Sequence, residues 1–430
     1  MKILIQNVKL SKEYGFGDEP VSVAIVDDRI SYVGAQPPSQ AYDRVLDGKG
    51  NLLFPGFYNS HCHAAMSLFR GYGEDLPLDR WLNEKIFPAE DRLTEKSVYT
   101  GTMLSIAEML AGGIVCFSDM YMFEDVVARA AIESGIKANL ARSIVSFDSN
   151  EDPKASHRFL EGAALARDYH LAENGRIRVD MSIHAEYTNT ERMCRAVAEY
   201  AKENDLAIQM HISETVKEHE ECRARRGGKT PIAFALDTGM LDVPFCAAHC
   251  VHVSGEDMEI MREKGVFVSH NPVSNLKLAS GVMPLSEMLS RGISVSLGTD
   301  GAASNNNLDI FKELKLAAIL HKGVTQRADA TDAHTLCRMA TLEGARAQGR
   351  SDCGRIEVGQ KADLILIDLD SLHNIPSYGC ETTVAYSADS SDVRMTMVDG
   401  KILYENGEYT TIDIEKLKYE AKDVIKHYFD

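Results

Sequence analysis

The chain has 430 residues, with 46 Lys and Arg against 64 Asp and Glu, a net charge of −18. At 44% hydrophobic and 26% charged, it has the balance of a folded globular protein, which excludes a disordered tail or a fibre. So acidic a surface repels a phosphate backbone and excludes nucleic-acid polymers as partners, but not a small molecule in a shielded pocket. The opening Met1-Lys2-Ile3-Leu4-Ile5-Gln6-Asn7 has too few apolar residues for a signal-peptide core, and no apolar run reaches membrane-spanning length. Nine cysteines without a CxxC pair fit reduced thiols better than a disulfide framework. A cytoplasmic protein is expected.

In chain order, residues 3–10 and 21–30 alternate and are β-branched, with turn chemistry at Asp27-Asp28 and Gly48-Lys49-Gly50. The chain end repeats that character: 354–363 lead into an apolar 364–367, and 393–398 precede the turn Asp399-Gly400. A helix over 413–428 is expected to pack across these end strands. Between the flanks, strand-like runs fall near 52–60, 114–119, 137–144, 177–184, 206–211, 245–250, 266–271 and 293–299. Helical runs separate them, at 95–111, 123–134, 155–171, 190–203, 254–264 and 308–321. The fold class is therefore α/β: a (β/α)8 TIM-type barrel over 55–350, with a small β-sandwich domain built from 1–54 and 351–430. Reactive groups belong at the C-terminal ends of such strands.

His61-Cys62-His63 follows the first barrel strand, and a spacing of two turns both imidazoles to one face. Alone, that motif fits two packed histidines equally well. His211 ends the fifth strand and Asp300 the eighth. In that last strand Ser294, Ser296, Gly298 and Asp300 form a small polar face suited to a barrel interior; alone, Asp300 also reads as a turn or N-cap residue. Together these four sit on one rim, and their nitrogen and oxygen donors suit Zn²⁺ with a position left for water. Fe²⁺ or Mn²⁺ suits the same set. Glu214, three residues past His211, can shuttle a proton, or can be a first-turn helix glutamate. His249 ends the sixth strand and can orient a water. His252 reads as structural, and His270 as either a pocket wall or a packing residue.

These residues, from Pro55-Gly56 to Gly298-Thr299-Asp300, resemble the amidohydrolase superfamily. Leu68-Phe69-Arg70-Gly71, Asp75-Leu76-Pro77-Leu78, Trp81-Leu82, Phe87-Pro88-Ala89-Glu90 and the segment 269–281 resemble its methylthioadenosine/S-adenosylhomocysteine deaminase branch. The resemblance covers essentially the whole chain. It implies hydrolytic deamination of an adenine nucleoside at C6, with the 5′ substituent left open. It implies one metal on His61, His63, His211 and Asp300, because strand 4 ends in Ser182-Ile183-His184-Ala185-Glu186, without the bridging lysine of binuclear relatives. Substrate contacts fall to Glu90, Arg142, His184 and Glu214, with Arg142 and His184 as donors and Trp81 beside the 5′ group. Catalysis falls to Glu214, His249 and Asp300. A homo-oligomer is implied too. The chain departs from the family at Glu186, where proline is usual, and near Lys154, where some relatives carry a second arginine; both bear on ribose or 5′ contacts. Deaminases of guanine, 8-oxoguanine or cytosine and chlorotriazine hydrolases use the same metal set and are the alternative. A non-catalytic barrel acting in assembly is the alternative from another class. Cys62 and Cys246 read as packing residues.

Overall fold

The computed structural model describes residues 1–17 and 19–429, with side chains as far as Lys426. The first strands, β1 (Lys2–Val8), β2 (Val21–Val26), β3 (Arg29–Gly34) and β4 (Arg44–Asp47), form a sheet in the order β3-β2-β1-β4. Strand β2 is valine-rich and buried nearly throughout because neighbours flank it on both sides. The run 52–60 does not continue as one strand. It breaks at Gly56, where a Cβ would come within 2.2 Å of Val115 Cγ1 and the N–H donates to Asp363 O at 3.0 Å. Its first half, β5 (Leu52–Pro55), leaves for a sheet made with the chain end, and its second half, β6 (Phe57–Cys62), opens the barrel.

The barrel continues through β7 (Ile114–Tyr121), β8 (Lys137–Arg142), β9 (Ile177–Val179), β10 (Met181–Ile183), β11 (Ile208–Ile212), β12 (Phe245–His249), β13 (Phe267–His270) and β14 (Ser294–Leu297). Every paired neighbour is parallel. Strands β9 and β10 are the single run 177–184 interrupted at Asp180, whose N–H turns to Leu140 O at 2.9 Å on one side. Met181 N–H takes Ala207 O at 2.8 Å on the other. The seam between β14 and β6 is carried by Ser60 Oγ to Leu297 O at 2.8 Å and by Asp300 N–H to His61 O at 2.9 Å. Ser296 hydrogen-bonds Ser60, and Ser60 lies 2.7 Å from Ser269, so small hydroxyls line this side of the interior. The helices Glu95–Ala111, Glu124–Ser134, His157–Tyr169, Glu191–Glu203, Gly255–Lys264 and Ile310–Thr325 follow the expected runs. Among the described residues no helix is long and apolar enough to cross a membrane.

The last strands, β15 (Leu364–Ile367), β16 (Val393–Val398), β17 (Lys401–Glu405) and β18 (Glu408–Tyr409), complete the sheet β18-β17-β16-β15-β5. Ile3, Ile5, Val23 and Ile25 of one end share a buried core with Leu53, Leu364, Met395 and Met397 of the other sheet. The turn Asp399-Gly400 has φ of 46° and 72°, both left-handed as a tight hairpin requires. A Cβ at Gly400 would meet Asp27 O at 2.0 Å, so this turn and the one after β2 touch. The terminal helix Ile414–Phe429 differs from expectation. It packs on the barrel helix Glu95–Ala111, with Lys96 Nζ 3.3 Å from Asp423, because its buried Leu417, Ala421 and Val424 make one stripe that this helix covers.

One buried ion-pair cluster ties the chain end to the barrel. Lys137, at the start of β8, pairs with Asp363 and lies 2.7 Å from Asp399, while Tyr58 donates to Asp363 at 2.6 Å. Burial works against the Lys137 ammonium, but Asp363 outweighs it and raises the pKa. Replacing Lys137 by Met leaves a buried carboxylate uncompensated and is expected to cost about 3–5 kcal/mol. Urea unfolding checks this; a loss below about 1 kcal/mol contradicts it.

Candidate functional site

The four rim residues converge. Ring centroids of His61 and His63 are 4.9 Å apart, those of His61 and His211 4.9 Å, and those of His63 and His211 5.4 Å. One nitrogen from each lies within 4.8 Å of the others. Asp300 Oδ1 is 3.3 Å from His63 Nε2 and 3.7 Å from His61 Nε2. The outer nitrogens are committed: His63 Nδ1 is 2.9 Å from Met120 O, and His211 Nδ1 is 2.8 Å from His184 O. A carbonyl only accepts, so each Nδ1 carries a proton and Nε2 is the nitrogen left facing the cluster. Asp300, at a left-handed φ of 60°, accepts from Gly301 N–H at 2.8 Å and Ser274 Oγ at 2.5 Å.

Burial pushes His61 and His211 well below the usual histidine range. Burial also acts against charge at His63, yet Asp300 outweighs it and raises His63. Asp300, despite its burial, is held well below the carboxylate range by His63. His61 Nε2 is buried and has no hydrogen-bond partner, a cost that protein interiors rarely leave unmet. Two imidazoles kept uncharged by burial, a third paired with an ionised carboxylate, and an orphaned nitrogen fit a divalent cation that prefers nitrogen and oxygen.

Other candidate residues surround this point. His249, at φ 73°, has Nδ1 2.8 Å from Asn275 Oδ1 and Nε2 4.0 Å from Glu214 Oε2, with its ring centroid 5.4 Å from those of His61 and His211. Glu214 is half-buried where β11 gives way to the helix Val216–Arg225. Its backbone N–H donates to Glu218 Oε2 at 2.8 Å, and Ser280 Oγ donates to its Oε1 at 3.0 Å. Tyr121 donates to Glu90 at 2.6 Å, and the Tyr121 ring lies 5.8 Å from that of His63. Burial pushes the Glu90 carboxyl up to about 7.

The His184 ring is 4.9 Å from that of His211, and burial lowers His184 to about 4. Its Nδ1 is 3.2 Å from Thr188 Oγ1, whose own hydroxyl donates to Ala185 O at 3.0 Å. The same hydroxyl oxygen accepts from Ala185 N–H and Asn189 Nδ2, each at 3.1 Å.

The family model described as "Amidohydrolase family" matches residues 52–403. The chain belongs to the amidohydrolase family. It is 44% identical over 422 residues to a Dictyoglomus thermophilum protein named 5-methylthioadenosine/S-adenosylhomocysteine deaminase, covering 98% of each chain. It is 42% identical over 401 residues to a Methanosarcina mazei protein named 5'-deoxyadenosine deaminase, covering 93% of this chain and 92% of that one. The crystal structure of an adenosine deaminase from Xanthomonas campestris with bound zinc matches with TM-score 0.91 and 32% identity. That match covers 99% of this chain and 98% of the other.

Within this amidohydrolase, two candidates are placed differently from the rest. Arg142 gives its Nε to Glu161 at 2.6 Å and its Nη1 to Ser143 O at 2.6 Å, and Trp81 is buried in the main core. Glu186 is fully buried with its carboxylate on Arg225 at 2.5 Å and Arg226 at 2.6 Å, so its charge is spent within that clamp. His252 holds Ser280 O at 2.7 Å, and His270 pairs with His321 at 3.0 Å. Burial raises the Cys62 thiol well above its usual range and Cys246 to about 12, against a nucleophilic role.

Sequence reasoning missed Tyr121, Ser274, Asn275, Glu218 and Ser280 as individual residues. Three of them lie within the segment 269–281 on which the family resemblance rested. Nothing in the local pattern marks Tyr121.

Glu313 sits behind the ligand rim, accepting from Asn305 Nδ2 at 2.6 Å and Val273 N–H at 3.2 Å, and burial pushes it from 4.5 up to about 8. The folded state therefore keeps a proton that the unfolded chain releases, and this group's contribution falls as pH rises from 4.5 to 8. Glu313→Gln is expected to gain about 3 kcal/mol relative to wild type between pH 5 and 8. Denaturant midpoints of metal-free proteins at the two pH values check it; a pH-independent difference contradicts it.

Proposed function

We propose that this amidohydrolase is a metal-dependent hydrolytic deaminase of adenine nucleosides. It acts at C6 of 5′-methylthioadenosine, S-adenosylhomocysteine, 5′-deoxyadenosine or adenosine, giving the inosine analogue and ammonia. The observation that carries this reading is a proton-shuttling pair beside the imidazole cluster, Glu214 Oε2 at 4.0 Å from His249 Nε2, in a chain 44% identical over nearly its full length to a deaminase relative.

His61, His63, His211 and Asp300 would hold one Zn²⁺ per chain, and Fe²⁺ or Mn²⁺ suits the same donors. When bound, such a cation acts as a Lewis acid that brings the pKa of water near neutrality. Glu214 gives a proton to N1 of the adenine ring, which draws electrons from C6 and opens it to attack. His249, steadied through Asn275, orients the attacking water with Nε2 and, with Asp300, receives its proton. The proton taken from the water passes to the amino group, the C6–N bond breaks with its electron pair leaving on ammonia, and the proton of the new C6 hydroxyl returns to Glu214 as the carbonyl forms. Glu90 accepts from both ribose hydroxyls, Arg142 and His184 supply donors, and Trp81 walls the side of the 5′ group.

Glu214→Gln is expected to keep its metal, measured by elemental analysis, while turnover falls by about 10²–10⁴. Near-normal turnover removes the role assigned to Glu214. Glu90→Ala is expected to raise KM for nucleosides, and an unchanged KM removes the ribose contact.

A further inference from the structure

The segment after the helix Pro272–Lys277 is built around one buried hydroxyl. Ser280 is flanked by Ala279 at φ 55° and Gly281 at φ 128°, where a Cβ would press to 2.9 Å from Val251 Cγ1. A non-glycine residue in the left-handed region is held there only by its surroundings. Those surroundings are on both sides of Ser280: its N–H donates to Asn275 O at 2.8 Å, and its carbonyl lies 2.7 Å from His252 Nε2. These backbone contacts need no hydroxyl. The hydroxyl goes to Glu214 Oε1, at 3.0 Å.

Glu214 is also fixed from behind. The buried Glu218 carboxylate takes Glu214 N–H and Ser213 N–H, each at 2.8 Å, with Ser213 at φ 48°. With the backbone clamped and Oε1 engaged, Oε2 is the oxygen turned toward His249 Nε2, at 4.0 Å.

We propose that Ser280 is a positioning residue that decides which oxygen of Glu214 carries the mobile proton. The inference rests on the reading of Glu214 as proton donor. A protonated carboxyl has one hydroxyl oxygen and one carbonyl oxygen, and only the second accepts freely. A donor held on Oε1 makes Oε1 the carbonyl oxygen and sends the proton to Oε2. In the transfer the Oε2–H bond breaks, its electron pair stays on Oε2, and the proton joins the lone pair of the substrate's N1. The carboxylate that results binds the Ser280 hydroxyl more strongly than the neutral acid did. Ser280 therefore contributes more in the transition state than in the bound ground state, and its loss falls on kcat.

The test compares wild type, Ser280→Ala and Glu214→Gln, each loaded with zinc, on whichever adenine nucleoside the wild type turns over. Ser280→Ala is expected to keep wild-type metal content and a KM within about twofold, while kcat falls by about 10–100-fold. Two outcomes overturn the inference when Glu214→Gln is inactive: a Ser280→Ala kcat within twofold of wild type, or a loss appearing in KM or metal content, which marks packing. A Glu214→Gln enzyme with wild-type turnover instead overturns the reading of Glu214 itself.

Discussion

Buried imidazole nitrogens with exposed lone pairs repel one another and lack water to satisfy them. At the rim of this barrel such nitrogens meet the carboxylate of Asp300. Such a cluster persists only if the surrounding fold forces it, and most of the catalytic end does so. Carbonyls of Met120 and His184 each hold one imidazole by its Nδ1, and the Asp300 N–H to His61 O bond closes the barrel at the same place that joins two residues of the cluster. Barrel closure and the geometry of the cluster are thus one constraint. A shift of the β6–β14 seam would move His61 and Asp300 apart.

Around that centre the structure sorts carboxylates by environment. Asp300 stays ionised because His63 offsets its burial, while Glu90 and Glu218 are pushed up to about 7 by burial. Glu214 is held by a hydroxyl on one oxygen and by a second carboxylate on its backbone. Separation of acid and base roles by local surroundings is how one site runs both at neutral pH.

The barrel and the placing of His61, His63, His211 and Asp300 on one rim were legible in the sequence because their signals are local. Strand periodicity placed His211 and Asp300 at strand ends, and an interior of small residues showed in Ser296. Breaks at Gly56 and Asp180 were not legible, since each depends on a neighbour, Val115 or Leu140, distant in the chain. The same holds for the side-chain clamps. Tyr121 reaches Glu90 across 31 residues, Arg225 reaches Glu186 across 39, and Ser280 reaches Glu214 across 66. Glu186 read as a new charge beside the substrate, and only the fold shows its two arginine partners. The terminal helix was legible as amphipathic but not in its destination, because a stripe of Leu417, Ala421 and Val424 does not name the surface that covers it.

At this rim we propose the hydrolytic deamination of an adenine nucleoside. Its most direct test is ammonia release, with the accompanying ultraviolet change, from zinc-loaded protein given 5′-methylthioadenosine, S-adenosylhomocysteine, 5′-deoxyadenosine, adenosine, guanine and cytosine. Fast turnover of one or more adenosines and none of the free bases is expected. Silence on every adenosine with activity on a free base would contradict it, leaving a metal-dependent hydrolase in which Glu90 and Arg142 are structural.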